Sequence, residues 1–352
     1  MDALHHVDDF ERVAIDRMTP EARDLANLGA GEGKAVARNR AAWGRWALRQ
    51  RVLRDVGTCD TAVDLFGVPV SMPLLIAPSG LHGLVHPDAE SATARAAQAA
   101  DTLMVLSMNS TLPVEEVAPH CDKFWFQLYW GADRGFLREL MARAAGAGAK
   151  AFCLTLDMPV RPWLLGPMRR ALAAVGDVRP AHGFPRSGHL QDEARWDHDA
   201  RLTWADLSWL RANSPLPIVL KGIMTAEDAA LAVEHGADAI IVSNHGGRVL
   251  DEGLATAEAL PAIVAAVAGR IDVHVDGGIR TGADIAKALA LGARTALIGR
   301  PALWGIAAGG DEGLAAMLDL LRGELRSVMG MIGAGSVAAI DRSSIVERPV
   351  LP

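Results

Sequence analysis

The stretch from Ala239 to Arg300, AIIVSNHGGRVLDEGLATAEALPAIVAAVAGRIDVHVDGGIRTGADIAKALALGARTALIGR, decides the fold. Three short apolar runs (Ala239–Val242, Val273–Val275, Thr295–Ile298) alternate with two longer segments (Thr256–Ala268, Thr281–Leu291) whose apolar residues recur at helical spacing. Uninterrupted short runs of this kind suit strands buried on both faces, as in a parallel sheet covered by helices. Working outward, five more such runs appear at Leu74–Ala77, Leu103–Leu106, Phe124–Leu128, Ala151–Leu156 and Ile218–Leu220. Helix-like segments separate several of them, at Asp88–Ala100, Arg134–Ala145 and Thr225–His235. Eight strands alternating with helices predict an α/β protein built as a (β/α)8 TIM barrel.

The remaining sequence fits around that barrel, so residues 1–352 are read as a single domain. Residues 1–70 form an N-terminal helical extension, with a helix expected over Arg38–Arg51. One connection is out of proportion: from Asp157 to Lys221 the chain runs 64 residues, and its middle is rich in Pro, Gly, Arg and His. The segment 158–202 is expected to be a long, lid-like loop beside the active site after strand four.

Composition narrows the function. The 352-residue chain carries 35 Lys plus Arg against 42 Asp plus Glu, a formal charge of −7, which argues against a nucleic-acid partner. Cys59, Cys121 and Cys153 are far apart and form no metal-binding or redox pair, so no metal and a reducing, cytoplasmic location are expected. Charges interrupt every apolar stretch, leaving neither a signal-peptide core nor a membrane span.

Nearly every apolar run is followed by polar residues or glycine: Pro78-Ser79-Gly80, Ser107, Tyr129, Asp157, Lys221, Ser243-Asn244-His245, Asp276-Gly277-Gly278 and Gly299-Arg300. In a barrel these positions gather at the C-terminal rim, where the active sites of this fold are built. His245, flanked by glycine and followed by Arg248, pairs a candidate base with an anion clamp; the plain alternative is a structural rim histidine. Gly277, Gly278, Arg280, Gly299 and Arg300 suit a phosphate belonging to a substrate or a cofactor. Lys221 points an ammonium into the rim or pairs with a neighbouring acid. Tyr129 is the one phenol against nine tryptophans.

Together SNHGGRVLD, VDGGIRTGADIAKALALGA, APSGLHGLVHPDAE, FWFQLY and TLD (155–157) resemble the FMN-dependent 2-hydroxy acid oxidase and dehydrogenase family, from about Leu25 to Arg300. The resemblance implies FMN as cofactor. It makes His245 the base that accepts the substrate proton, with Asp157 orienting the imidazole and Tyr129 beside the carbonyl being formed. Pro78, Ser79, Gly80, Ser107, Gln127, Thr155 and Ser243 are then expected around the flavin ring, with Lys221 stabilising its reduced form. Asp276, Gly277, Gly278, Arg280, Gly299 and Arg300 would hold the ribityl phosphate. Arg248 and Tyr129 would bind the substrate carboxylate. The long loop after strand four lacks an amphipathic or apolar stretch long enough for a membrane anchor, so no membrane is expected and the electron acceptor is dioxygen or a soluble one; the resemblance suggests a homotetramer.

Two family positions differ here. The tyrosine that usually binds the substrate carboxylate is Leu25, and the arginine usually found seven residues past the aspartate is Leu164; Arg161 is the available replacement. A hydrogen bond to a charged group contributes about 1.5–3 kcal/mol, so losing two weakens carboxylate capture by roughly two to four decades. The expected substrate is therefore an aromatic or bulky 2-hydroxy acid, or one whose carboxylate is masked as an ester or amide. Alternatives are an α-amino analogue, or an FMN-binding barrel without turnover.

Overall fold

The computed structural model describes residues 4–174, 180–182 and 198–348. All eight expected strands form: β1 (Leu74–Ile76), β2 (Met104–Ser107), β3 (Phe124–Tyr129), β4 (Phe152–Thr155), β5 (Ile218–Ile223), β6 (Ala239–Val242), β7 (Asp272–Val275) and β8 (Thr295–Ile298). They close into a parallel barrel in chain order, and β8 pairs back onto β1. The protein is thus a (β/α)8 barrel. Threonines start two of the outer helices: Thr225 and Thr281 accept hydrogen bonds from Asp228 N and Asp284 N, capping Ala226–Glu234 and Gly282–Ala290.

Strand alternation sorts the side chains. Residues such as Ile76, Leu106, Phe126, Leu154, Leu220, Ile240 and Ile298 pack outward against the helices. Leu75, Leu103, Val105, Trp125, Cys153, Val219, Ile241 and Leu297 fill the barrel instead. A hairpin of Val63–Leu65 and Val68–Val70 contributes Val63, Leu65 and Val70 to that interior cluster. Above this apolar layer, the same inward parity continues into Ser107, Gln127, Thr155, Lys221, Ser243 and Asp276 at the C-terminal rim.

The N-terminal extension is only partly helical. Helices α1 (Val7–Arg17), α2 (Pro20–Asn27) and α3 (Lys34–Ala42) form, but the helix expected over Arg38–Arg51 stops at Ala42. Trp46–Leu48 is instead a strand paired antiparallel with Ile345–Glu347, a partner almost 300 residues away in sequence (Trp46 opposite Glu347). A short amphipathic segment whose pairing partner lies that far off reads locally as helix. The helix Arg300–Ile332 carries α1 along its side and breaks at Gly309–Gly310, where Gly310 has φ 62°.

The long connection after β4 contains structure of its own. A helix at Gly166–Ala174 packs against α2, and His198 forms an isolated bridge with Gly131. Residues 175–179 and 183–197 of the expected lid lie outside the described residues. Among the described residues, no helix is long and apolar enough to cross a membrane.

Candidate active site

Strand register brings the rim residues level. Ser107 stands beside Gln127, Tyr129 beside Thr155, and Thr155 beside Lys221. Ser107 Oγ donates to Gln127 Oε1 (3.0 Å), and Gln127 Nε2 donates to Thr155 Oγ1 (3.1 Å). Three neighbouring strands are thereby linked through buried polar side chains, each hydrogen-bonded as burial requires.

The charged centre lies across the barrel mouth. His245 Nδ1 meets Asp157 Oδ1 at 2.8 Å. The ladder slips between Lys221 and Ile223, at Gly222 (φ 107°), where a Cβ would come within 2.7 Å of the Asp157 side chain. Glycine there is what allows the carboxylate to lie against the strand end. Burial works to raise the Asp157 pKa, but the charges of His245 and Lys221 outweigh it and hold the carboxyl below the ordinary range. Its Oδ2 is buried with no hydrogen-bond partner among the described residues.

His245 itself takes a left-handed backbone, φ 56°, between the strand end and two positive-φ glycines, Gly246 and Gly247. Such a conformation in a non-glycine residue is strained and is held by its surroundings. Here the anchor is Ser243, whose Oγ accepts His245 N (3.1 Å) and Lys221 Nζ (2.9 Å) and donates to Asp276 Oδ2 (2.9 Å). Lys221 lies 3.4 Å from the same carboxylate oxygen. Burial opposes the Lys221 charge, yet Asp276 and Asp157 prevail and raise its pKa above the ordinary ammonium value.

Beside this centre lie three guanidiniums, Arg248, Arg280 and Arg300. Arg248 Nη1 donates to the carbonyls of Leu25 (2.7 Å) and Leu28 (3.2 Å); Arg300 Nη1 donates to Gly246 O (2.7 Å) and Arg280 Nη1 to Ile279 O (2.7 Å). Burial, reinforced by Arg248 and Arg280, pushes Arg300 down to about 9. Burial and the nearby Arg40 likewise push Arg280 down to about 10. The Nε atoms of Arg280 and Arg300, and Asp276 Oδ1, are buried without hydrogen-bond partners among the described residues. Gly277 (φ 91°) and Gly278 (φ 83°) keep the backbone tight beneath them; a Cβ on Gly278 would collide with Asn39 O at 2.1 Å. Gly299 stands at the N-terminus of the helix Arg300–Ile332, the positive end of its dipole. Buried guanidiniums with open donors at such a place, offset only in part by the partly buried Glu11 and by Asp276, are arranged for an anion.

The opposite wall is apolar. Tyr129 is buried and stacks on His198 (4.4 Å between ring centroids), and its hydroxyl donates weakly to Met158 Sδ at 3.9 Å. Burial, with the charge of Asp157 adding to it, raises the phenol pKa, so the hydroxyl stays protonated. Leu25 on α2 meets the site through its carbonyl, and the Leu164 carbonyl accepts from Arg169 (2.9 Å). Arg161 is partly buried, and Trp163 is 74% exposed.

The structure adds residues that sequence reasoning passed over. Asn39 on α3 and Asn244 exchange amide hydrogen bonds in both directions (2.7 and 2.9 Å), and Thr256 Oγ1 donates to Asp276 O (2.6 Å). Asp251 accepts from Glu32 N (2.7 Å) and Ala35 N (2.9 Å). Asn244 lies within the SNHGGR motif and Asp251 just beyond it, so both were visible in the sequence, though not these roles. Asn39 carries no local signal, because its role exists only against a partner 205 residues away.

Comparison with known proteins agrees with this geometry. The sequence profile described as FMN-dependent dehydrogenase matches residues 14–347. An L-lactate oxidase from Nostoc sp. is 45% identical over 351 residues, spanning 95% of this chain and 96% of that protein. Among solved structures, mandelate oxidase matches with a TM-score of 0.90 at 40% identity, covering 96% of this chain and 97% of that one. A mandelate oxidase with an arginine-to-leucine substitution, solved with 2-hydroxy-phenylacetamide, matches with a TM-score of 0.88 at 38% identity over 99% of this chain and 100% of that one.

Proposed function

Because this chain belongs to the FMN-dependent dehydrogenase family, whose relatives oxidise 2-hydroxy acids, we propose that its own substrate is an aromatic or carboxylate-masked 2-hydroxy acid, such as an ester or amide, with His245 as base. The protein is an FMN-dependent oxidoreductase acting on the CH–OH group of 2-hydroxy acids, and the proposal concerns which of them it takes and how.

The residues present fit FMN. The unpartnered Nε donors of Arg280 and Arg300 suit a phosphate, and the unpartnered Asp276 Oδ1 suits a ribityl hydroxyl. Gly277, Gly278 and Gly299 would let the backbone approach, and Pro78, Ser79, Gly80, Ser107, Gln127, Thr155 and Ser243 would surround the ring. FMN held by these residues would supply the acceptor for the hydride equivalent that leaves substrate C2. His245 Nδ1 is committed to Asp157, so Nε2 faces the substrate and takes the hydroxyl proton. Asp157, held ionised, stabilises the imidazolium that results. Lys221, held charged by Asp276 and Asp157, offers a fixed positive charge to the reduced ring. Tyr129, kept protonated, donates to the substrate oxygen.

The observation that carries the substrate assignment is Arg248. Its Nη1 is engaged by main-chain carbonyls at Leu25 and Leu28, while the flanking positions that would add a phenol and a second guanidinium hold Leu25 and Leu164. One partly committed arginine, with leucine at both of those sequence positions, suits a neutral or aromatic group better than a small free carboxylate. A mandelate oxidase carrying an arginine-to-leucine substitution was solved with 2-hydroxy-phenylacetamide, an amide of the proposed class, and this supports the reading. Dioxygen is the electron acceptor we favour, in line with the names of the oxidase relatives.

Anaerobic mixing of the flavoprotein with lactate, mandelate, a mandelate ester and mandelamide tests the assignment. Faster bleaching of the flavin absorbance by the ester or amide is expected; equal or faster bleaching by lactate overturns it.

A further inference from the structure

One buried carboxylate has no part in the chemistry above. Glu90, in the first turn of the helix Ala89–Ala99, is 0% exposed. Its Oε1 accepts His82 N and Thr111 N, both at 2.9 Å, and its Oε2 accepts Leu112 N at 3.2 Å. Capping the helix is not its task, because all three donors belong to other segments, 8, 21 and 22 residues away. Nor does packing call for it, since the neighbouring buried positions Ala92, Ala94, Ala96 and Ala97 fill their space with methyl groups alone. A carboxylate in the core is tolerated when several N–H groups converge on it, and here they come from the loops that follow β1 and β2.

Those two loops meet edge to edge. Leu81, in a left-handed conformation (φ 56°), donates to Asn109 O at 2.9 Å. A Cβ on Gly80 would lie 2.8 Å from that same oxygen, so the peptide at Gly80 rests directly on Asn109. Asn109 N in turn donates to Ser107 Oγ (3.0 Å), which leads into the Gln127–Thr155 chain. On the other side, His82 reaches Thr93 Oγ1 through Nδ1 (2.8 Å) and Ser79 Oγ through Nε2 (3.2 Å). Ser79 Oγ donates to Ala77 O (3.4 Å), so it accepts from a protonated Nε2, and Thr93 donates to Nδ1. Burial lowers the His82 pKa, which keeps the ring neutral in this tautomer.

We propose that Glu90 is a positioning residue: by joining the loops after β1 and β2, and through His82 to Ser79, it fixes the Ser79–Gly80 peptide that forms the wall beside the FMN ring. The inference rests on the reading that the Pro78–Gly80 strand end faces the cofactor. Moving that peptide changes the polarity and distance of the groups around the ring, and small misplacements of this sort carry large rate penalties.

The test uses the holoenzyme with Glu90→Gln and, as an independent variant, His82→Leu. Glutamine sets an NH2 against a backbone N–H that the carboxylate accepted; leucine cuts the arm to Ser79 and leaves the Glu90 bonds intact. For both variants we expect a shifted flavin visible spectrum and midpoint potential, and about a tenfold slower anaerobic reduction at unchanged substrate KM. Faster amide exchange at Leu81–Gly83 and Thr111–Leu112 is expected in Glu90→Gln apoprotein. Variants that lose thermal stability yet keep the wild-type spectrum, potential and reduction rate make Glu90 structural only and overturn the proposal. Should Glu90→Gln fail to fold, a wild-type spectrum and rate in His82→Leu overturns it. Failure of wild-type protein to hold FMN or to bleach with any 2-hydroxy acid would instead defeat the underlying reading, before any variant is made.

Discussion

The two sides of the barrel mouth are built on different terms. From β5 to β7, Lys221, Ser243, His245 and Asp276 interlock through bonds of 2.9 to 3.4 Å, with backbone strain at His245 held in place by its neighbours. On the side formed by α2, the end of β3 and the segment after β4, the contributions are a main-chain carbonyl from Leu25, an exposed Trp163, and Tyr129, whose hydroxyl meets the Met158 thioether and whose ring stacks on His198. The first side is over-determined because each of its charges needs the others to remain buried and ionised. The second is loosely specified, so substitutions such as Leu25 and Leu164 are absorbed without disturbing the first. Chemistry and substrate choice are therefore physically separable in this molecule.

The largest expected effect lies on the interlocked side. His245→Ala removes the proposed base and is expected to slow flavin reduction by about 10²–10⁴-fold while FMN stays bound, measured by anaerobic stopped flow. Retention of the wild-type rate would take His245 out of the mechanism.

Acidification sharpens the contrast, because the two sides depend on protons differently. His182, buried and pushed down to about 4 chiefly by burial, accepts Val114 N through Nε2 (2.8 Å) and contacts Ser110 through Nδ1 (3.2 Å). The neutral ring anchors residues 180–182 of the long connection onto the loop after β2. The unfolded chain takes up that proton near pH 6.5, so this stabilisation is full above about pH 6.5 and is lost as the pH falls toward 4, by roughly 3 kcal/mol in all. Asp157, whose folded pKa is depressed, stays ionised throughout that window and loses its contribution only at lower pH. Melting temperature measured against pH is expected to fall between 6.5 and 4, and less steeply in His182→Phe. His274, pushed down to about 3 by burial, adds a slope of the same sign that the variant retains.

A smaller change is expected from restoring the substrate side. Leu164→Arg adds one guanidinium at a position proposed to face the substrate, and the ratio of kcat/KM for mandelate over mandelamide is expected to rise about tenfold, the low end for one charged hydrogen bond. No change in that ratio would show that position 164 does not reach the substrate.

The barrel was legible in the sequence because strands buried on both faces read as unbroken apolar runs, and the eight runs needed no distant partner to be recognised. The strand Trp46–Leu48 was not, since only pairing with Ile345–Glu347 makes it a strand. The site follows the same rule. Residues at strand ends, from Ser107 to Arg300, could be placed from their motifs, whereas Asn39, Glu90 and His182 act through partners brought together by the fold. A polar residue on a helix looks the same in sequence whether it faces solvent or meets a buried amide.

The reciprocal amide pair of Asn39 and Asn244, with Asp251 gripping the backbone at Glu32 and Ala35, has a consequence for how the chain is made. These contacts join residues 205 to 219 positions apart, so the segment synthesised first has no partner until most of the barrel has been translated. Closing so wide a loop is slow relative to forming neighbouring βα units. The His245 turn is accordingly expected to set late in folding, so that a nascent barrel can be well formed while the turn still lacks its support from α3.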